Sequence, residues 1–527
     1  MSINIIPKPN HIILKDGVFN LNKSTKICFE DEIKPVIRFL KQYLNEASNL
    51  ELQITNEPVE NNVIRLSLND AVVNLGKEGY KLSITHSRIQ MEAMTLQGMF
   101  YSIQTLRQIV NDNPNELPCV EIEDKPRYEY RGYMLDVCRH FFDKKVVKRM
   151  IDLAALHKLN IFHWHLTEDQ GFRVEIEKYK KLTEIGSKRK ETIIGGKSDN
   201  MPHGGYYTAS DIKEIVDYAN ERYITIIPEF DMPGHFLAVL ASYPELSCSG
   251  KQLEVGTKFG VIKDIACAGK ESTYEFIFDV LGEIIELFPG ELIHIGGDEV
   301  PKEQWIECPH CQNKIKEEKL KNEEELQGYF TNRIAKFLKE RNKRAITWND
   351  ALKSGNLHES VVVQHWLDGD NHKNTVKAIN ENRKVIMSDV HHVYLDYPYG
   401  LTPLKKTYEY KPVSEVIQKD KEKNILGVEA PLWTEYVKDL ERIDYLTFPR
   451  LSALSELGWT DEKHKNYNDF TTRLKSLNKL LDKLGVNYAT RSQADVKGLK
   501  AKIEVYKHVK QVDNLLSVIR QLFINNK

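Results

Sequence analysis

Residues 131–170 read RGYMLDVCRH FFDKKVVKRM IDLAALHKLN IFHWHLTEDQ. An apolar run at Tyr133–Val137 leads to Val147, Ile151 and Ala154, spaced for one face of a helix, and then to a second apolar run at Ile161–Leu166. Short runs that are apolar throughout, rather than alternating, suit strands covered on both faces of a parallel sheet. The same beat continues downstream. Strand candidates follow at Ile224–Phe230, Leu292–Ile295, Ala345–Trp348, Val361–Trp366, Val385–Met387 and Ile425–Val428, with helical spacing at Ile212, Ile215 and Ala219 and at Phe276, Val280 and Ile284. Eight strands alternating with helices predict an α/β fold, a (β/α)8 TIM barrel over residues 127–485. An open doubly wound sheet is the alternative, but no glycine-rich phosphate loop follows the first strand.

Working outward, residues 1–126 read as a small α+β domain. Strand-like runs at Val63–Leu68 and Tyr80–Thr85 alternate with amphipathic stretches at Ile33–Leu44 and Leu96–Ile109, and Pro118 and Pro126 bracket a linker. On the other side, Phe470–Leu484 closes the barrel domain and residues 486–527 form a C-terminal helical extension. Within it Gln493–Phe523 is expected as one amphipathic helix. Val505, Val509, Val512, Leu516, Ile519 and Phe523 make a short heptad seam, which serves either docking on the chain's own surface or a homodimer.

Composition narrows the function. The 527 residues carry a formal net charge of −2, which gives no global attraction to nucleic acid or an anionic membrane. No run of 18 apolar residues predicts a membrane span, and no cationic segment with an apolar stretch opens the sequence, so a cytoplasmic location is expected. Seven cysteines (Cys28, Cys119, Cys138, Cys248, Cys267, Cys308, Cys311) are too few and scattered for a disulfide scaffold. Cys308-Pro-His-Cys311 has redox or half-zinc spacing, but no second ligand pair stands near it in sequence. A structural loop is the expected role, with neither metal nor cofactor.

The unusual polar and aromatic residues collect at the C-terminal ends of the predicted strands, where barrels of this kind carry their active sites. The clusters are Asp136-Val-Cys-Arg139-His140, His163-Trp-His165-Leu-Thr-Glu168-Asp169-Gln170, Glu229-Phe-Asp231-Met-Pro-Gly-His235, Gly296-Gly-Asp298-Glu299, Trp348-Asn349-Asp350, His365-Trp366, Tyr394-Leu-Asp396 and Glu429-Ala-Pro-Leu-Trp433-Thr-Glu435. Two chemistries compete for this face. His163 and His165 point the same way from a strand and could join His235 and the aspartates on a metal, as in a metal-dependent hydrolase. Strand-end Trp164, Trp348, Trp366 and Trp433 with Tyr394 suit a sugar instead, whose C–H faces stack on rings while its hydroxyls bond to acids and arginine. Asp298 and Glu299 supply the carboxylates of glycoside hydrolysis. Two preceding glycines let the backbone aim both side chains at one face, yet neighbours in sequence can hardly straddle a glycosidic bond as nucleophile and acid. One solution is that the substrate supplies its own nucleophile.

At that point residues from about 128 to 460 resemble the catalytic barrel of family 20 glycoside hydrolases, the β-N-acetylhexosaminidases. The motifs RGYMLDVCRHF, HWHLTEDQGFR, EFDMPGH, HIGGDE, YLD and GVEAPLWTE occur in family order, and the N-terminal region is similar to the small α+β domain that precedes such barrels. The resemblance implies a retaining exo-hydrolase acting on substrates that end in β-linked GlcNAc or GalNAc, through an oxazolinium formed by the substrate's acetamido group. It implies Glu299 as general acid and then base, and Asp298 as the acceptor of the acetamido N–H. Tyr394 would bond the acetamido oxygen, with Trp348, Trp366 and Trp433 as the pocket wall. Arg131 matches the residue that grips the 3- and 4-hydroxyls, Asp396 and Glu435 match hydroxyl acceptors, and His235 with Glu168 or Asp169 resembles the relay that tunes the acid. Phe172 and Asn349-Asp350 depart from the common pattern, and Tyr408 is the expected stand-in for an aromatic after the Tyr-Leu-Asp motif. A non-catalytic sugar-binding protein is the remaining alternative, and its mark would be loss of the acid that Glu299 retains.

Overall fold

The computed structural model describes residues 3–57 and 59–511. Eight parallel strands close a barrel in the order Tyr130–Asp136, Ile161–His165, Thr225–Glu229, Leu292–His294, Arg344–Trp348, Val362–His365, Val385–Met387 and Ile425–Leu432. Each is one of the eight apolar runs. Their pairing sets the height of the chemistry. Asp136 lies level with His165, His165 with Glu229, and Glu229 with His294, so four polar side chains reach one rim together. Below them Tyr130, Ile161, Ile227, Ile346, Val362 and Ile386 fill the barrel's interior floor.

Helices cover the outside, and their starts are written in the sequence. Asp143 caps Lys144–Leu156 by accepting from the backbone N–H groups of Lys145 and Val146. Thr208 and Asp211 form a capping box at the head of Ala209–Asn220. Strand alternation sends His163 and His165 inward and Phe162 and Trp164 outward. Trp164 is therefore no part of a sugar platform: it packs 4.6 Å from Tyr207 and 6.3 Å from Phe288, under the helical layer.

The N-terminal segment forms a seven-stranded sheet that includes Val63–Leu68 and Tyr80–Ile84, with helices Lys34–Ser48 and Leu96–Asp112 packed on each other. A buried polar cluster joins it to the N-terminal end of the barrel. Lys158 Nζ reaches Tyr80 Oη at 2.7 Å and Asp124 Oδ2 at 3.3 Å, and Trp459 Nε1 donates to the same Asp124 oxygen at 2.8 Å.

Arg131 belongs to this junction, which corrects the expectation that it grips sugar hydroxyls. It is fully buried, donates to Glu78 Oε1 at 2.6 Å and to the carbonyls of Lys158 and Tyr128, and lies over Trp459. It sits near the start of its strand whereas the chemistry sits at the end, about 16 Å away at the rise of a β-strand. Truncating one member of a buried ion pair leaves the other charge uncompensated. Arg131→Met is therefore expected to destabilise the chain by about 3–5 kcal/mol in urea unfolding, with KM unchanged in the folded fraction. A raised KM at native stability would return Arg131 to the substrate.

After Tyr467–Lys483 the chain turns through Arg491–Ala494 into Gly498–Gln511. The single helix expected from Gln493 is thus interrupted, with Gly498 in the left-handed region at φ 64°. Of the seam, Val505 and Val509 are half-buried, and Val512, Leu516, Ile519 and Phe523 lie outside the described residues. The helix docks on the chain's own barrel. Glu504 Oε2 accepts from Gly400 N–H at 3.0 Å, and His508 packs edge-on against Tyr397 and Tyr436. Among the described residues no helix is long and apolar enough to cross a membrane.

Candidate active site

Below the site lies a web of buried acids and imidazoles. Glu229, at the tip of the third strand, is hydrogen-bonded to His165 Nδ1 at 2.5 Å and accepts from Trp348 Nε1 at 2.9 Å, with His163 Nε2 at 3.0 Å and His294 Nδ1 at 2.9 Å close by. Burial pushes its carboxyl up, but the three imidazoles outweigh burial and hold it well below the usual carboxylate range. Glu429 does the same work from the eighth strand, accepting from Gln364 at 2.6 Å and Tyr130 at 2.5 Å while facing His163 Nδ1 at 2.9 Å. Between two carboxylates, His163 is raised to about 9 despite its burial. His163 and His165 are thus committed to carboxylates, and Trp348 is fixed in orientation by one of them.

Asp298 and Glu299 stand above this web. Gly296, Gly297 and Glu299 all have positive φ, at 62°, 98° and 47°. A Cβ at Gly296 would fall 1.6 Å from Asp231 Oδ1, and one at Gly297 would fall 2.6 Å from Thr347 Oγ1, so only glycines let the chain turn here. The turn puts both carboxyls on one side, with His235 Nε2 3.7 Å from Asp298 Oδ2 and 3.7 Å from Glu299 Oε2. Glu299 and His235, itself at φ 52°, hold a conformation that non-glycine residues adopt at a cost, as at many functional sites. On its other side His235 Nδ1 lies 2.7 Å from Glu168 Oε1 and 3.6 Å from Asp169 Oδ2. Glu168 is the nearer acid, and Asp169 also accepts from Leu237 N–H.

Burial raises Asp298 to about 7, with His235 opposing and Glu299 adding to the shift. Burial likewise raises Glu299, against the pull of His235. Two adjacent acids with elevated pKa values beside one imidazole are equipped to share and transfer a proton near neutral pH.

An aromatic pocket opens beside them. Tyr394 stacks on Trp366 at 6.2 Å and 23°, Trp433 lies 6.5 Å from Tyr394, and Trp348 lies 6.0 Å from Trp433. Trp366 is held by its Nε1 donating to Asp350 Oδ2 at 2.8 Å, so the acid of Asn349-Asp350 braces the wall. Further around the rim Asp396 is raised to about 8, by burial and then by Glu435. Arg139 Nη2 lies 2.9 Å from Glu168, its Nε 3.9 Å from Glu435, and its guanidinium 4.7 Å over Trp433.

The structure therefore brings together Asp298, Glu299, Glu168, Asp169, His235, Trp348, Trp366, Tyr394, Asp396, Trp433 and Glu435, and leaves Arg131 at the far end. Arg139 is the arginine of this rim, and its signal was its position just past the end of the first strand. Tyr408 is also elsewhere, donating to Glu456 and packed on Phe470. Tyr397 takes the nearby aromatic place, 6.4 Å from Tyr394. His508 had no signal, because its contact with Tyr397 arises only when the distant C-terminal helix folds back.

Sequence comparison gives the same pattern a family. The model of "Glycosyl hydrolase family 20, catalytic domain" matches residues 128–462, and that of "Glycosyl hydrolase family 20, domain 2" matches residues 2–125. A "Beta-hexosaminidase" of Porphyromonas gingivalis is 40% identical over 92% of this chain, which spans 64% of that relative's length. A β-N-acetylhexosaminidase structure from Bacteroides fragilis is 34% identical with a TM-score of 0.82, covering 94% of this chain and 99% of its own. An exo β-N-acetylglucosaminidase structure from Vibrio harveyi, in complex with N-acetylglucosamine, is 32% identical with a TM-score of 0.82, covering 93% and 78%.

Proposed function

Because the chain belongs to glycosyl hydrolase family 20, whose catalytic-domain model spans most of its barrel, we propose that it is a retaining exo-β-N-acetylhexosaminidase that cleaves terminal β-linked GlcNAc or GalNAc with help from the substrate's own acetamido group. The observation that carries this reading is the side-by-side placement of Asp298 and Glu299 next to an aromatic pocket. An acid and an enzyme nucleophile would flank the scissile bond about 5 Å apart. Here the two carboxyls share one imidazole instead, and the pocket beside them fits a flat, partly apolar acetamido group.

The roles we assign are those the family resemblance implies, with Arg139 in place of Arg131, and the geometry supports them. Glu299, at the more open lip, protonates the leaving oxygen and afterwards takes a proton from the incoming water. Asp298, deeper, accepts the acetamido N–H and, once ionised, balances the positive charge of the oxazolinium. Tyr394 donates to the acetamido oxygen and aims it at the anomeric carbon, while Trp348, Trp366 and Trp433 exclude water and fix the group's orientation. Arg139, Asp396 and Glu435 bind ring hydroxyls. His235, backed by Glu168 and Asp169, holds a positive charge beside the acid pair and lowers both. The N-acetylglucosamine bound by the Vibrio harveyi neighbour supports a saturated acetamido sugar as the occupant.

Aryl β-GlcNAc, β-GalNAc and β-glucoside tested under identical conditions separate the readings. Both or either acetamido sugar should be cleaved, and the glucoside should be slower by at least about a thousandfold, since it lacks the internal nucleophile. Comparable glucoside cleavage would overturn substrate assistance. Loss of all activity to a chelator would favour the metal-dependent alternative.

A further inference from the structure

The loop after the third strand and the helices after the fourth meet at four cysteines. Cys267 Sγ lies 3.7 Å from Cys308 Sγ and 3.7 Å from Cys311 Sγ, and Cys248 Sγ lies 3.9 Å from Cys311 Sγ. All four sulfurs fall within 4.8 Å of one another. From this we infer a structural zinc site, closed by the thiolates of Cys248, Cys267, Cys308 and Cys311, that clamps the loop carrying His235 to the segment following Glu299.

The spacing favours a single tetrahedral ion. Four ligands at a Zn–S distance of about 2.3 Å sit about 3.8 Å apart. A disulfide needs about 2.05 Å, and a multi-iron cluster spreads its cysteines farther. The surroundings are those of a metal knuckle. Cys248-Ser-Gly250 and Cys267-Ala-Gly269 each place a glycine two residues on, and Cys308-Pro-His-Cys311 supplies the paired spacing. A Cβ at Gly269 would fall 2.2 Å from the His310 carbonyl carbon, so the two ligand segments touch backbone to backbone. The bridge between Ser247 and Ala266 sets Cys248 beside Cys267. Cys308, Cys311 and Cys267 are buried, and a four-thiolate shell leaves no open position for water, which suits a structural ion rather than a catalytic one.

The clamp acts close to the acid pair. Ala266, beside Cys267, donates its N–H to the Pro233 carbonyl at 2.9 Å, two residues before His235, and its own carbonyl accepts Trp305 Nε1 at 2.9 Å. Trp305 follows Glu299 by six residues. Fixing the sulfurs thus fixes the distance between His235 and Glu299. The second cysteine pair was invisible in the sequence because Cys248 and Cys267 stand 60 and 41 residues before Cys308.

The full chain, purified untagged without chelator or metal-binding reductants, should hold one zinc by elemental mass spectrometry and in its native mass. Chain produced in cobalt should absorb as tetrahedral Co²⁺ with thiolate charge-transfer bands. A mercurial that captures thiols should release the zinc in step with four thiols and lower Tm, whereas brief EDTA should leave kcat unchanged. Cys308→Ser/Cys311→Ser should lose the metal. Zinc-free wild-type protein with all seven thiols titrating, or two disulfides among the four cysteines by peptide mass, would overturn the inference. These readouts do not depend on which glycoside the barrel cleaves.

Discussion

Glu299→Gln is expected to lower kcat/KM for a disaccharide substrate by about 10³–10⁴-fold, and for an aryl glycoside with a good leaving group by far less. The asymmetry is the test. A sugar leaving group must be protonated as its bond breaks, whereas an activated phenolate departs with little help. The amide keeps the size of Glu299 and its place at the lip, so substrate binding should persist and KM should change little. The alkaline limb of the pH profile should vanish as well. Burial raises the Glu299 carboxyl, so the limb on which it loses its proton belongs to this group in the wild-type protein, and a glutamine has no proton to lose in that range. Equal losses for both substrates, or a preserved alkaline limb, would move the acid role elsewhere.

How far the sequence spoke can be traced to the range of each signal. The barrel was legible because its strands are continuous apolar runs such as Ile161–Leu166, and burial on both faces leaves few other readings. Asp298, Glu299 and the three pocket tryptophans were legible because strand ends converge on one rim, so position along the chain predicts position in space. Where two ends of one strand compete, that logic needs the correct register. Arg131 and Arg139 lie eight residues apart near opposite ends of the first strand, Tyr130–Asp136, and the pairing of Arg131 with Glu78, a residue of the other domain, shows what the far end is used for. Trp164 failed for a related reason: its neighbours His163 and His165 point inward, and strict alternation then sends it outward. His508 and the cysteine cluster depend on contacts across loops and across the whole chain. No local periodicity records those.

The web around Glu229 teaches a different point. His163 and His165 have the spacing of metal ligands, and sequence alone leaves that use open. In the folded chain both lie between carboxylates, with Glu229 holding three imidazoles and an indole. Buried charges and hydrogen bonds packed this closely, His165 and Trp348 to Glu229 and His163 to Glu429, hold one another in place. In the proposed reaction the web's effect is indirect: the hydrogen bond to Glu229 orients Trp348, which walls the pocket proposed for the acetamido group.

Asp298→Asn should lower kcat by about 10²–10³-fold, the scale on which preorganised charge stabilisation is lost, while making the folded chain more stable at alkaline pH. Both halves come from one fact. Burial lifts Asp298 from an ordinary value of 3.8 to about 7. A carboxyl whose folded pKa is raised binds its proton more tightly when folded, so stability falls as pH climbs from about 4 to about 7 and stays reduced above. Three units amount to about 4 kcal/mol as a ceiling, less where His235 charges alongside and offsets it. Asparagine carries no such cost. The gain in Tm should therefore be larger at pH 8 than at pH 5. An aspartate that merely braced the Gly296-Gly297 turn would behave oppositely and lose stability on substitution, but Asp298 Oδ1 has no hydrogen-bond partner among the described residues. Ligand binding completes the test. A cyclic thiazoline analogue of the oxazolinium should bind Asp298→Asn about 10- to 100-fold more weakly, and the product GlcNAc nearly as well as before, because the lost contact is ionic only in the charged intermediate. Equal weakening of both ligands, or a variant that melts earlier at pH 8, would remove Asp298 from the reaction and leave it a structural acid.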